Sequence, residues 1–220
     1  MPPDKAFYDI GIVAHLSRVG QAGDLANEVG PAHIAIDGGE LGCEGNHHRV
    51  WRHLAKRDTS WSVVLEDDAV PVPAFRDQLD SALAVAPAPI VSLYLGRARP
   101  PQWQQRIERA TYAATGRDAS FIVHNRLLHC VGVAINTALI TNMIDAVAGN
   151  ACRGLPIDEA ISAWAKANGY PVAYTWPSLV DHANGPSVAI HRDRVPRDDL
   201  PRKAWRAGTR TRWGTAQVAM

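Results

Sequence analysis

Cysteine is scarce: Cys43, Cys130 and Cys152 are three among 220 residues, an odd number with no C-x-x-C pair. This excludes a disulfide framework and a multi-cysteine zinc centre, and it leads to the expectation of a cytoplasmic location. Long apolar runs are also missing. No window approaches the roughly 18 uninterrupted apolar residues of a membrane span. The N-terminal MPPDKAFYDIGIVAH carries acids and a short apolar stretch where a signal peptide needs a basic flank and a longer one. The glycines of GQAG and IDGGELG form neither a P-loop nor a dinucleotide fingerprint, and Ser17, Ser60 and Ser62 lie in no nucleophile elbow. Lysine is limited to Lys5, Lys56, Lys166 and Lys203, so arginine carries most of the basic character.

What remains is an ordinary globular composition, 46% hydrophobic and 20% charged. At this length a single domain buries about 70% of its unfolded surface and needs no staples. The formal charge of +1 hides an asymmetry, because residues 192–220 hold eight basic and three acidic side chains, against 15 and 19 in the rest. The sequence therefore divides into an acidic body, residues 1–190, and a basic C-terminal tail, residues 191–220, that is either solvated or faces an anionic partner.

Short apolar runs at Tyr8–Leu16, Ala32–Ile36, Trp61–Leu65, Ile90–Leu95, Cys130–Asn136 and 171–175 predict buried strands, the run at 171–175 being the last strand. Helical spacing predicts helices near 20–29, 45–57, 73–85, 139–148 and 159–168. Residues 96–125, rich in Arg, Gln and Pro, read as a long loop or inserted flap. Alternating strands and helices imply an α/β domain with a mainly parallel central sheet flanked by helices.

The strongest chemical signal is WSVVLEDD. A buried strand delivers Glu66, Asp67 and Asp68 together to a sheet edge, where ligands bind in α/β folds. Carboxylates this close share a proton or hold a cation, and hard ions such as Mg²⁺ or Mn²⁺ prefer such oxygens while keeping positions for substrate phosphates. The same cluster suits a phosphoacceptor or nuclease site, or an acidic turn. Cys43, His47 and His48 do not predict zinc, since only one cysteine is near.

WSVVLEDDAVPVPAF resembles the segment of glycosyltransferase family 25, the lipopolysaccharide and collagen type of sugar transferases, in which a strand ends in EDD before Pro and Phe. Upstream, IAIDGGELGCEGNHHRVWRHL is similar to the family pattern at Asp37, Gly38, Glu40, Gly42, Cys43, His47 and Trp51, with Asn46 where the family has Ser. Downstream, VGVAINTALITNMIDAV and LPIDEAISAWAKANG follow in the family's order, and HLSR at 15–18 falls at its first nucleotide-contacting loop.

This resemblance implies a GT-A-like sandwich and a metal-dependent transferase. It would move a sugar from a nucleotide diphosphate sugar, most simply a UDP-sugar, to an acceptor hydroxyl with inversion. It implies donor contacts at Ser17, Arg18, Asp37, Glu66, Asp67 and Asp68, and Mn²⁺ or Mg²⁺ on Asp68 with His182. Asp158 is the expected base, with Glu159 beside it, and His47 a helix-packing residue. Asp37 is equally readable as an Asp-Gly turn. Arg97, Trp103 and Arg106 are candidate acceptor contacts for a saccharide or glycoconjugate. The same basic and aromatic residues leave open DNA as acceptor, and a non-catalytic nucleotide-sugar-binding module is the third reading.

Overall fold

The computed structural model describes residues 6–185, 188 and 202–220. Ten strands and six α-helices follow in the order β1 (Tyr8–His15), α1 (Val19–Val29), β2 (His33–Asp37), α2 (Gly42–Leu54), β3 (Trp61–Glu66), β4 (Ala69–Pro71), α3 (Phe75–Leu83), β5 (Ile90–Ser92), α4 (Gln104–Gly116), β6 (Phe121–His124), β7 (Gly132–Asn136), α5 (Ile140–Ala148), α6 (Ile157–Ala167), β8 (Val172–Thr175), β9 (Val180–His182) and β10 (Gln217–Ala219). Eight strands form one mixed sheet in the order β10-β6-β8-β5-β7-β3-β1-β2, and β4 and β9 form a separate two-stranded ribbon. Within the large sheet β2, β1, β3, β5 and β8 run one way, and β7, β6 and β10 the other.

The inner strands are apolar on both faces because both are covered. Ile10, Ile12 and Ala14 of β1 pack with Leu25 and Val29 of α1 and Phe75 and Leu79 of α3. Val13, from the opposite face, joins Val50, Trp51 and Leu54 of α2 and the apolar stripes of α4, α5 and α6. Gly11 lets α2 approach β1: a Cβ there would stand 2.3 Å from Val50 Cγ1. Asn46, 2% exposed, fixes this helix by donating from Nδ2 to the carbonyls of Ala14 and Ala35, each at 3.0 Å.

Three expectations are corrected. Residues 96–125 form no flap: α4 buries Ile107, Ala110, Thr111 and Ala114, and β6 follows it into the sheet. The strand at 171–175 is not the last, because β9 and β10 come after it. The C-terminal residues from 202 on are no detached tail. Ala204 and Trp213 are buried, β10 pairs with β6, Lys203 donates to the His182 carbonyl at 2.8 Å, and Arg210 pairs with Asp118 at 2.6 Å. Arg192, Arg194 and Arg197 lie outside the described residues. Among those described, no helix is long and apolar enough to cross a membrane.

Candidate active site

Several elements bring their polar residues to one edge of the sheet, as expected for a ligand crevice in an α/β fold. β1 ends at His15, with Ser17 and Arg18 just past it; β2 ends at Asp37; β3 delivers Glu66, Asp67 and Asp68; β9 brings His182 alongside, because Ala69 and His182 are partners in the ribbon.

The acidic triplet is not a solvated turn. Asp67 and Asp68 are 6% and 7% exposed. One Arg18 guanidinium nitrogen bridges them, 2.9 Å from Asp67 Oδ1 and 2.5 Å from Asp68 Oδ2, and the His15 amide donates to Asp67 Oδ2 at 2.8 Å. Asp68 Oδ2 also faces His182 Nε2 at 3.4 Å. The His182 Nδ1 lies 2.5 Å from the Ala183 carbonyl and can only donate to it, which leaves Nε2 an acceptor in the neutral ring. Asp68 Oδ1 is buried without a hydrogen-bond partner among the described residues. Asp68 thus has one buried oxygen left unsatisfied and the other facing an imidazole nitrogen, an oxygen and nitrogen pair that could hold a cation.

The carboxylates are pushed apart in acidity. Burial, then the Glu66 charge, raises Asp68 against the opposing pull of His182 and Arg18. Burial alone would raise Glu66 too, but the His47 hydrogen bond at 3.1 Å and the nearby imidazoles hold it below its ordinary value. Asp158, at the first turn of α6, is pushed up to about 7, first by burial and then by Glu66, while its Oδ1 accepts the Glu159 amide at 2.9 Å. A carboxyl that exchanges its proton near neutrality is suited to general acid–base work.

The other expected contacts divide. The Ser17 hydroxyl lies 2.7 Å from His15 Nδ1. Asp37 closes a turn, accepting the amides of Gly39, Leu41 and Gly42 at 3.0–3.1 Å, and these bonds hold its carboxyl below the usual range. The Arg97 amide donates to the Lys203 carbonyl. Trp103 and Arg106 instead line an open depression of about 520 Å³, with His124, Arg126, Pro171 and Met220 among its walls and none of the acidic triplet. There the guanidinium groups of Arg106 and Arg126 lie 5.6 and 5.8 Å from the Trp103 ring centre.

Sequence reasoning missed His129 and read His47 as mere packing. His47, 1% exposed, bonds Glu66. Burial lowers His129 to about 4, so its ring is neutral within range of Glu66 and His182. His129 precedes β7 without any motif that marks it. His47 lies four residues after Cys43 on α2, a helical spacing that puts both on one face.

Comparison with known proteins now adds to this geometry. Residues 32–149 match the model of glycosyltransferase family 25 (LPS biosynthesis protein). The match includes Asp37, Cys43, His47 and Glu66–Asp68 and leaves out Ser17, Arg18, Asp158 and His182. No curated protein matches the chain. Among solved structures, the chain is similar to a glycosyltransferase involved in the glycosylation of the major capsid of PBCV-1, with 9% identity and a TM-score of 0.40 over 69% of this chain and 72% of that one. With more than half its length matched, the chain belongs to glycosyltransferase family 25 and is a glycosyltransferase.

Proposed function

We propose that this glycosyltransferase takes its sugar from a nucleotide diphosphate sugar, a UDP-sugar, and transfers it with inversion to a hydroxyl of a saccharide or glycoconjugate, using Mn²⁺ or Mg²⁺. One observation supports the metal-bridged donor: Asp68 keeps a buried Oδ1 with no partner among the described residues while its Oδ2 faces the Nε2 of His182. Asp68 and His182 would hold the ion, whose chemistry is to offset charge on the departing diphosphate. Arg18 supplies a fixed positive charge at the same place, and Asp67 holds it there through one bond while fixing the His15 amide through another. Ser17, exposed and hydrogen-bonded through its hydroxyl to His15 Nδ1, would contact the donor through the oxygen's remaining capacity. Asp37, already committed to its turn, acts by shaping the loop into α2.

In an inverting displacement the acceptor oxygen bonds to the anomeric carbon as the bond to the diphosphate breaks, and the acceptor proton must leave. We assign that proton to Asp158. Its carboxyl is held near neutral acidity at the helix N-terminus, so it is ionised at mildly alkaline pH and ready to accept. The Trp103 depression, with Arg106 and Arg126 near its indole, suits a sugar ring stacked on the aromatic face and an anionic substituent paired with guanidinium; walled by Pro171 and His124 and not by the acidic triplet, it would hold a distal part of an extended acceptor and not the reacting hydroxyl.

The test is donor hydrolysis and transfer with a panel of nucleotide sugars and anionic oligosaccharides, with the product anomer read by NMR. Inversion that needs Mn²⁺ or Mg²⁺, and a raised acceptor KM with unchanged donor KM in Trp103→Ala, are expected. Retention of configuration, or full activity in chelator, refutes the mechanism.

A further inference from the structure

Outside the Asp68–His182 pair, α2 and β3 bring three donors of unlike chemistry together. The Cys43 sulfur, one ring nitrogen of His47 and a Glu66 carboxylate oxygen all lie within 4.8 Å of one another. We propose that Cys43, His47 and Glu66 form a binding site for one Zn²⁺ ion, or a similar thiophilic divalent cation, on the face of Glu66 turned toward α2.

Thiolate, imidazole and carboxylate are the three ligand types of zinc, and three protein ligands leave a fourth, open position. Around a tetrahedral ion with bonds of about 2.0–2.3 Å, ligand atoms stand about 3.3–3.8 Å apart. His47 Nε2 and Glu66 Oε1 are already 3.1 Å apart, so the ion needs only small side-chain shifts. The backbone preorganises the set: Cys43 and His47 share a helix face, and Glu66 is the last residue of β3. His47 is 1% exposed and directs its Nε2 at the Glu66 carboxylate, so that nitrogen is the one offered to an ion between them. The exposed Cys43 gives the ion its route in. On binding, the Cys43 S–H proton passes to solvent and the sulfur bonds the metal. The proposal departs from the sequence expectation of no zinc, which counted neighbours along the chain, whereas the third donor comes from 19 residues beyond His47. Hard Mn²⁺ or Mg²⁺ prefers the oxygen-rich Asp68 side, so the two sites differ in selectivity.

Co²⁺, which takes zinc sites and reports thiolate ligation by a near-ultraviolet charge-transfer band, is the probe. Full-length protein stripped of metal should bind one Co²⁺ with a thiolate band that Zn²⁺ removes. Cys43→Ser should lose that band and bind more weakly. Its fold is tested separately by circular dichroism, and the exposed side chain makes misfolding an unexpected result. Asp68→Asn should keep the band, because it spoils only the neighbouring pair. Absence of the band in the wild-type protein, its persistence in Cys43→Ser, or its loss in Asp68→Asn would overturn the assignment.

Discussion

Replacing Asp158 with asparagine tests structure and chemistry together, because it should weaken catalysis while strengthening the fold. The amide keeps the shape and the bond from the Glu159 backbone, and removes the charge. A carboxyl moved from 3.8 to about 7 is harder to ionise by about 4 kcal/mol, at about 1.4 kcal/mol per pH unit. The sign follows from linkage: below about pH 3.8 the group is protonated in both states and its contribution is intact. Between there and about 7 the unfolded chain releases the proton while the folded one retains it, so stability is lost as pH rises, until the loss is complete above about 7. The Asp158→Asn variant has no such loss. Other ionisable groups largely cancel between variant and wild type, so its advantage should grow by about 2–3 kcal/mol from about pH 5 to about pH 8. Urea unfolding at both pH values, with equal m-values for the two proteins, measures this. Transfer should meanwhile fall by about 10²–10⁴-fold, and the wild-type rate should decline below about pH 7 with unit slope. A stability difference independent of pH would refute the weakened acidity of this carboxyl. Activity within a few-fold of wild type would place the base elsewhere.

Further outcomes follow from the packing. Gly11→Ala puts a methyl 2.3 Å from Val50 Cγ1 and should cost about 1–3 kcal/mol by overpacking, with Val50→Ala restoring part of the loss in the double variant; thermal unfolding decides, and additive losses would contradict the contact. Trp213→Ala should cost about 3–5 kcal/mol, since this indole is 8% exposed and donates to Gln78 Oε1 at 3.0 Å. A neutral result in denaturant would mean that the C-terminal residues are not part of the fold.

Much of the architecture was legible because strands covered on both faces need apolar centres, as the IGIVA of YDIGIVAH and the VVL of WSVVL supply. The direction of β7 was not, since its apolar sequence suits either orientation, and only the loop crossing from β6 sets it antiparallel to both β3 and β5. Helix α4 hid for a different reason: its buried stripe is Ile107, Ala110, Thr111 and Ala114, three small residues and one large, among arginines and glutamines. Pro101 just before it was the available start signal. In the site, the adjacent acids stood out because they are contiguous. The bonds from Arg18 to Asp67 and Asp68, and from His47 to Glu66, join residues 49, 50 and 19 positions apart, and no local pattern announces them. The turn around Asp37 was legible as an Asp-Gly-Gly signal, and its three amide bonds give that signal its physical content.

In the proposed mechanism Asp68 and His182 hold a divalent ion that bridges the protein to a nucleotide diphosphate. Thermal unfolding with UDP tests it most directly, with Mn²⁺ or with chelator, in wild type and Asp68→Ala, because a ligand that binds only the folded state raises the transition by mass action. A UDP-dependent rise is expected only when Mn²⁺ is present, and none in the variant. An equal rise in chelator, or an undiminished one in Asp68→Ala, would contradict it.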